Sequence, residues 1–142
     1  SMSKVKVVYW SGSGNTEAMA NAVADGIRQA GAEAEVVTFD AISPSDLSSD
    51  TSIALGCPAM GAEVLEESVV EPFISTFENQ CAGKKIGLFG SYGWGDGQWM
   101  RDWVDRMTAA GATVVGNEGV IANNAPDDAA VEACKNLGLA LA

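Results

Sequence analysis

Six consecutive residues, Ser11-Gly12-Ser13-Gly14-Asn15-Thr16, combine two glycines with three hydroxyls and a carboxamide. The glycines let the backbone fold tightly, the side chains supply neutral donors, and a helix that follows presents its N-terminal N–H groups; such a set cradles a phosphate without any cation. The segment lacks the Gly-Lys-Ser/Thr ending of an NTPase loop, and Glu17 stands where a dinucleotide fingerprint requires its third glycine. The plain alternative is a strand-to-helix turn rich in small residues. A second segment, Cys57-Pro58-Ala59-Met60-Gly61-Ala62-Glu63, offers a strand-ending proline, a soft apolar thioether, a glycine that permits either peptide orientation and a carboxylate acceptor. Those groups suit a flat heteroaromatic ring; equally, Met60 fits a core and Glu63 fits solvent. A third, Gly90-Ser91-Tyr92-Gly93-Trp94-Gly95-Asp96-Gly97, is too glycine-rich for any periodicity. Trp94 on that scaffold is placed to stack, whereas Tyr92 also fits a core and Asp96 a cap for a helix starting near Gln98.

Each segment follows a short apolar run. Residues 5–10 read as a buried strand, and from Thr16 the spacing of Met19, Ala22, Val23, Ile27 and Ala30 is helical, closed by Gly31. Further strands are expected at 35–39, 52–55 and 85–89, with a fifth at 113–115 continuing toward Ile121. Helical stripes fall at Val69, Val70, Phe73, Ile74 and Phe77; at Met100, Trp103, Val104 and Met107, ended by Gly111; and at Ala130, Cys134, Leu137 and Leu141. Residues 40–50 read as loop or short helix, and Trp10, Trp99 and Trp103 as core or helix-surface side chains. Alternating β and α elements predict an α/β fold: a three-layer α/β/α, doubly wound, five-stranded parallel sheet in the order 2-1-3-4-5. In such a sheet the ligand lies beyond the strands' carboxyl ends, so the loops after strands one, three and four meet there.

With 142 residues, the chain is long enough for one core, and a single domain over 1–142 is expected, Ser1 being a cloning scar. Nineteen Asp and Glu against eight Lys and Arg give a net charge of −11, which disfavours nucleic acid and anionic membrane and favours basic protein partners. No apolar window reaches membrane-spanning length and no signal peptide is evident, so a cytoplasmic location is expected. Cys57, Cys81 and Cys134 match no metal pattern and read as reduced thiols, and the absence of histidine removes Ser-His and Cys-His dyads. A receiver domain on the same fold needs acids where this chain has Ser11 and Gly56-Cys57, and a nicotinamide-dependent flavin enzyme needs a second site for which no segment is left.

Taken together, the three segments resemble the short-chain flavodoxins of anaerobic bacteria, over nearly the whole chain. The strongest stretches are residues 8–20, the run Gly56-Cys57-Pro58-Ala59-Met60-Gly61, and the run Leu88-Phe89-Gly90-Ser91-Tyr92-Gly93-Trp94-Gly95. The resemblance implies FMN as cofactor. Ser11, Ser13, Asn15 and Thr16 would bind its phosphate, with Gly12 and Gly14 shaping the loop; Met60 and Trp94 would enclose the ring, beside Pro58 and Ala59. Glu63 would accept from the pyrimidine edge, Ser91, Tyr92, Gly93 and Gly95 would line the flavin through their backbone, and Asn124 would stand at the rim. Ala62 occupies a position where some relatives carry a larger polar residue. The implied function is a low-potential one-electron carrier rather than an enzyme, cycling mainly between semiquinone and hydroquinone. Its partners would be redox proteins such as ferredoxin-linked oxidoreductases, met as a monomer. Glu63, Glu66, Glu67 and Asp96 lie close to these loops in sequence, and one charge ~10 Å away at a dielectric of ~20 lowers a potential by roughly 70 mV.

Overall fold

In the first strand, β1 (Lys4–Tyr9), Val5, Val7 and Val8 are buried to both sides, as a strand covered on both faces requires. The computed structural model describes residues 3–142, so the expected scar at Ser1 lies outside the described residues. The chain continues through α1 (Asn15–Gln29), β2 (Glu33–Thr38), β3 (Ser52–Gly56), α2 (Val70–Phe77), β4 (Lys85–Tyr92), α3 (Gln98–Ala109), β5 (Thr113–Val114), β6 (Val120–Asn123) and α4 (Asp128–Leu141). The sheet is parallel in the order β2-β1-β3-β4-β5, with β6 also on β4. In register Tyr9 faces Gly56 and Gly56 faces Phe89, so the first, third and fourth strands release their loops side by side.

Helices cover both faces. Phe73, Phe77, Trp99, Trp103 and Met107 pack on Ile53, Leu55 and Ile86 from one side, while Met19, Val23, Ile27, Cys134 and Leu141 pack on Val5, Val7 and Ala54 from the other. Arg106 ties α3 to α2 through Glu71 and Glu78, each at 2.7 Å.

Two local expectations are revised and one, the loop or short helix at 40–50, is met. The fifth strand is broken: Gly116 and Asn117 take left-handed backbone (φ 70° and 57°), which cannot continue a ladder, and the edge is built from β5 and β6 in succession. Strand β4 runs on to Tyr92, past the expected end at Phe89, because β6 supplies a backbone partner from Phe89 to Tyr92. Residues 40–50 hold two short 3-10 turns, Phe39–Ala41 and Pro44–Leu47, the second closed by a Ser43–Asp46 capping box. The buried Lys84 ammonium donates to the Leu47, Ser48 and Asp50 carbonyls and holds this segment to the sheet.

Candidate functional site

The first loop is shaped by its own hydroxyl. Ser11 Oγ accepts from the Gly14 amide (3.1 Å) and the Glu17 amide (3.2 Å), and Gly14 enters α1 with φ 101°. The amides of Asn15 and Thr16 stand in the first turn, where no intrahelical acceptor exists. Thr16, 1 % exposed, turns its hydroxyl to Ser91 Oγ at 3.0 Å, and the Ser91 amide donates to Thr16 Oγ1 at 3.3 Å. This fastens the first loop to the end of β4.

The second loop is a closed turn. Met60 and Val64 exchange both backbone hydrogen bonds (2.8 and 2.9 Å), with Gly61 and Glu63 at φ 51° and 54° between them. Its base is held by Cys57, whose amide donates to the Phe89 carbonyl, whose carbonyl accepts from Trp99 Nε1 at 3.0 Å, and whose sulfur accepts from the Glu66 amide. Burial pushes the Cys57 thiol up to about 12, so it stays protonated. Glu66 is also buried. Desolvation opposes its ionisation, yet the Ser68 hydroxyl and the Val70, Val69 and Ser68 amides donate to it and bring it down to about 2.

In the third loop Gly95 and Gly97 have φ 87° and 97°, and Tyr92 packs against Trp99 with centroids 5.7 Å apart. The start of α3 is capped from a distance: Glu63 Oε1 accepts from the Gly97 amide (3.2 Å) and the Gln98 amide (3.1 Å). Asp96, the alternative cap read from the sequence, pairs instead with Arg101 at 2.8 Å.

Across these carboxyl ends lies a cavity of about 310 Å³. Ser11, Gly12, Ser13, Asn15 and Thr16 line it from the first loop, Pro58, Ala59 and Met60 from the second, and Ser91, Tyr92 and Gly93 from the third, with Asn124 at the edge. Gly14, Gly61, Ala62, Glu63, Trp94 and Gly95 are not among its lining residues, and Trp94 is 67 % exposed. Trp10 packs against the core, one of the roles suggested by the sequence, and in addition lines the cavity; a Cβ on Gly12 would meet the Trp10 ring at 3.3 Å. Its place at the carboxyl end of the first strand was the available signal. The four acids near the loops are largely compensated: Glu63 and Glu66 end on helix starts and Asp96 on Arg101, leaving exposed Glu67.

The lining holds no carboxylate, ammonium or guanidinium. Hydroxyls, a carboxamide and a helix start, together with the apolar surfaces of Trp10, Met60 and Tyr92, fit a phosphate joined to a flat ring. A doubly wound sheet with this site at its switch point defines a nucleotide-binding α/β protein. The Flavodoxin family model matches residues 7–136. The chain belongs to the flavodoxin family, whose members bind FMN and carry electrons. It is 52 % identical to a flavodoxin of Megasphaera elsdenii over 97 % of this chain and 98 % of that one, and 48 % identical to a flavodoxin of Clostridium beijerinckii over 88 % and 90 %. The solution structure of two-electron reduced Megasphaera elsdenii flavodoxin superposes with a TM-score of 0.88 at 51 % identity, covering 96 % of this chain and 97 % of that one. No helix among the described residues is long and apolar enough to cross a membrane.

Proposed function

We propose that the chain, as one unit over 1–142, is a low-potential one-electron carrier that holds FMN in the 310 Å³ cavity and alternates mainly between its half-reduced and fully reduced forms. The observation that carries this reading is the neutral lining: donors for a phosphate and apolar walls for a ring, with no charged acid, base or nucleophile to transform a substrate. Bound FMN supplies a ring that accepts electrons singly. Ser11, Ser13, Asn15 and Thr16 hold its phosphate through hydroxyls, the carboxamide and first-turn amides, with Gly12 and Gly14 giving the backbone its close approach. Met60 packs on one ring face and Trp94 closes over the other. Pro58, Ala59, Ser91, Tyr92, Gly93, Gly95 and Asn124 surround the edges, Ala62 sits on the adjoining turn, and Glu63 meets the pyrimidine edge through Oε2. The absence of a cation around the cofactor keeps added negative charge uncompensated, which supports a low second potential.

Gly61 is the mobile point in this reading. Turning the Met60–Gly61 peptide frees the Met60 carbonyl from the Val64 amide, and glycine at φ 51° permits it at small cost. The partners are redox proteins such as ferredoxin-linked oxidoreductases, presenting basic docking surfaces to a monomeric carrier in the cytoplasm, where buried Cys57, Cys81 and Cys134 stay reduced. Anaerobic stepwise reduction of the FMN-loaded protein, followed by absorbance, tests the proposal. A long-wavelength band that rises and then fades is expected, weakened in Gly61→Val. Direct passage to the fully reduced spectrum would overturn it.

A further inference from the structure

The turn that carries Trp94 is poorly equipped to hold its own shape. Gly93, Gly95 and Gly97 contribute no side chains, and α3 begins at Gly97 without a side-chain cap from its own sequence. Its first two amides are taken by one atom, Glu63 Oε1, from a residue 34 and 35 positions earlier. Two further observations mark that contact as built in. Glu63 keeps a left-handed backbone (φ 54°) that L residues rarely adopt, and a Cβ on Gly95 would fall 2.5 Å from the Glu63 carboxyl carbon, so only glycine lets the carboxylate pass over the turn. The amide end of α3 attracts negative charge at this position. The same first turn is attached again through Trp99 Nε1 to the Cys57 carbonyl, at the base of the loop whose tip bears Glu63.

We propose that Glu63 is a positioning residue: it fastens the Trp94 turn to the Met60 loop through the start of α3, before any cofactor is bound, so that movement of one loop carries the other. Oε2 has no partner among the described residues, so the latch is compatible with the contact assigned to Glu63 above, and only its consequence for the ring rests on the carrier reading.

Amide exchange of the full chain, stripped of FMN and then reloaded, tests the latch by NMR in the wild type, E63Q, E63D and E63A. In the cofactor-free wild type the Gly97 and Gln98 amides are protected, and E63A speeds their exchange about tenfold, the loss expected for a hydrogen bond to a charged acceptor. E63Q, which keeps an accepting oxygen, restores most of the protection. E63D, one methylene shorter, does not. The Trp99 indole N–H, bonded to Cys57, stays protected throughout and reports an intact fold. Unchanged exchange at Gly97 and Gln98 in E63D and E63A, with the indole still protected, would overturn the latch. A reductive titration without an intermediate band would overturn the carrier reading and leave these exchange rates where they are.

Discussion

Glu66 shows how a single carboxylate beside the cavity-lining loops can be structural. It is 6 % exposed, and its oxygens accept from three successive amides and a hydroxyl at the start of α2, so its charge is met where it sits. Gln at this position retains one acceptor oxygen and loses the other together with the charge. E66Q is therefore expected to lower stability by about 2 kcal/mol at pH 7, the scale of a helix cap plus a charged hydrogen bond. The sign with pH follows from the carboxylate's depressed position at about 2, against 4.5 when unperturbed. Its stabilisation is complete above pH 4.5 and disappears as the pH falls through about 2, so the wild type loses its advantage over E66Q within that window. Urea midpoints of both proteins at pH 7, 4 and 2.5 measure this, and a gap that does not narrow would count against the assignment.

Among the helices, the α1–α4 contact depends on two glycines whose role is opposite to their propensity. A Cβ on Gly26 would lie 2.0 Å from the Lys135 carbonyl oxygen, and one on Gly138 would lie 2.1 Å from that of Val23. Propensity alone makes Gly138→Ala stabilising by about 1 kcal/mol. The obstacle is backbone, which no rotamer change relieves, so the helices must separate and packing along Val23, Ile27, Cys134 and Leu137 suffers. We expect packing to win, with G138A destabilised by about 2 kcal/mol in chemical unfolding; a variant more stable than the wild type would reverse this reading. These glycines also mark what the sequence leaves illegible. The stripes of α1 and α4 are plain in Met19, Val23 and Ile27 and in Cys134, Leu137 and Leu141, because burial of one helix face imposes them. Close approach between two helices is a property of the pair and leaves only an unremarked Gly in each. The same holds at the site. Ser11, Ser13, Asn15, Thr16, Met60 and Tyr92 stand out by residue type beside a strand end, and all of them line one cavity. The remote Glu63 cap depends on a partner more than thirty residues away, and the extension of β4 depends on β6. The broken fifth strand had a local trace in Gly116-Asn117, but Asn tolerates left-handed backbone without requiring it.

Most positive charges of the molecule are engaged by groups of the chain itself, even where, as at Lys4, Arg28 and Arg101, the side chain stays about half exposed. Lys4, Lys6, Arg28, Arg101 and Arg106 pair with carboxylates of the same chain, and Lys84 and Lys85 donate to backbone carbonyls. The excess that gives a net charge of −11 is thus presented to solvent with little local cancellation. Beside the cavity mouth the surface changes character, since Val64 and Trp94 are exposed apolar side chains on the two loops that flank it. The two features act over different distances. Charge guides a basic partner from afar and is screened by salt, whose Debye length falls from about 30 Å at 0.01 M to about 3 Å at 1 M. Apolar contact acts only after encounter and persists in salt. If charge sets the encounter rate, the second-order rate of electron transfer from the reduced, FMN-loaded protein to a basic haem protein falls at least about tenfold between 0.01 and 0.5 M salt. Transfer to a small neutral oxidant stays nearly constant over the same range. Stopped-flow measurement of both acceptors separates the two contributions: a flat rate with the basic protein would assign docking to the Trp94 and Val64 patch, and Trp94→Ala would then slow transfer more than any change in ionic strength.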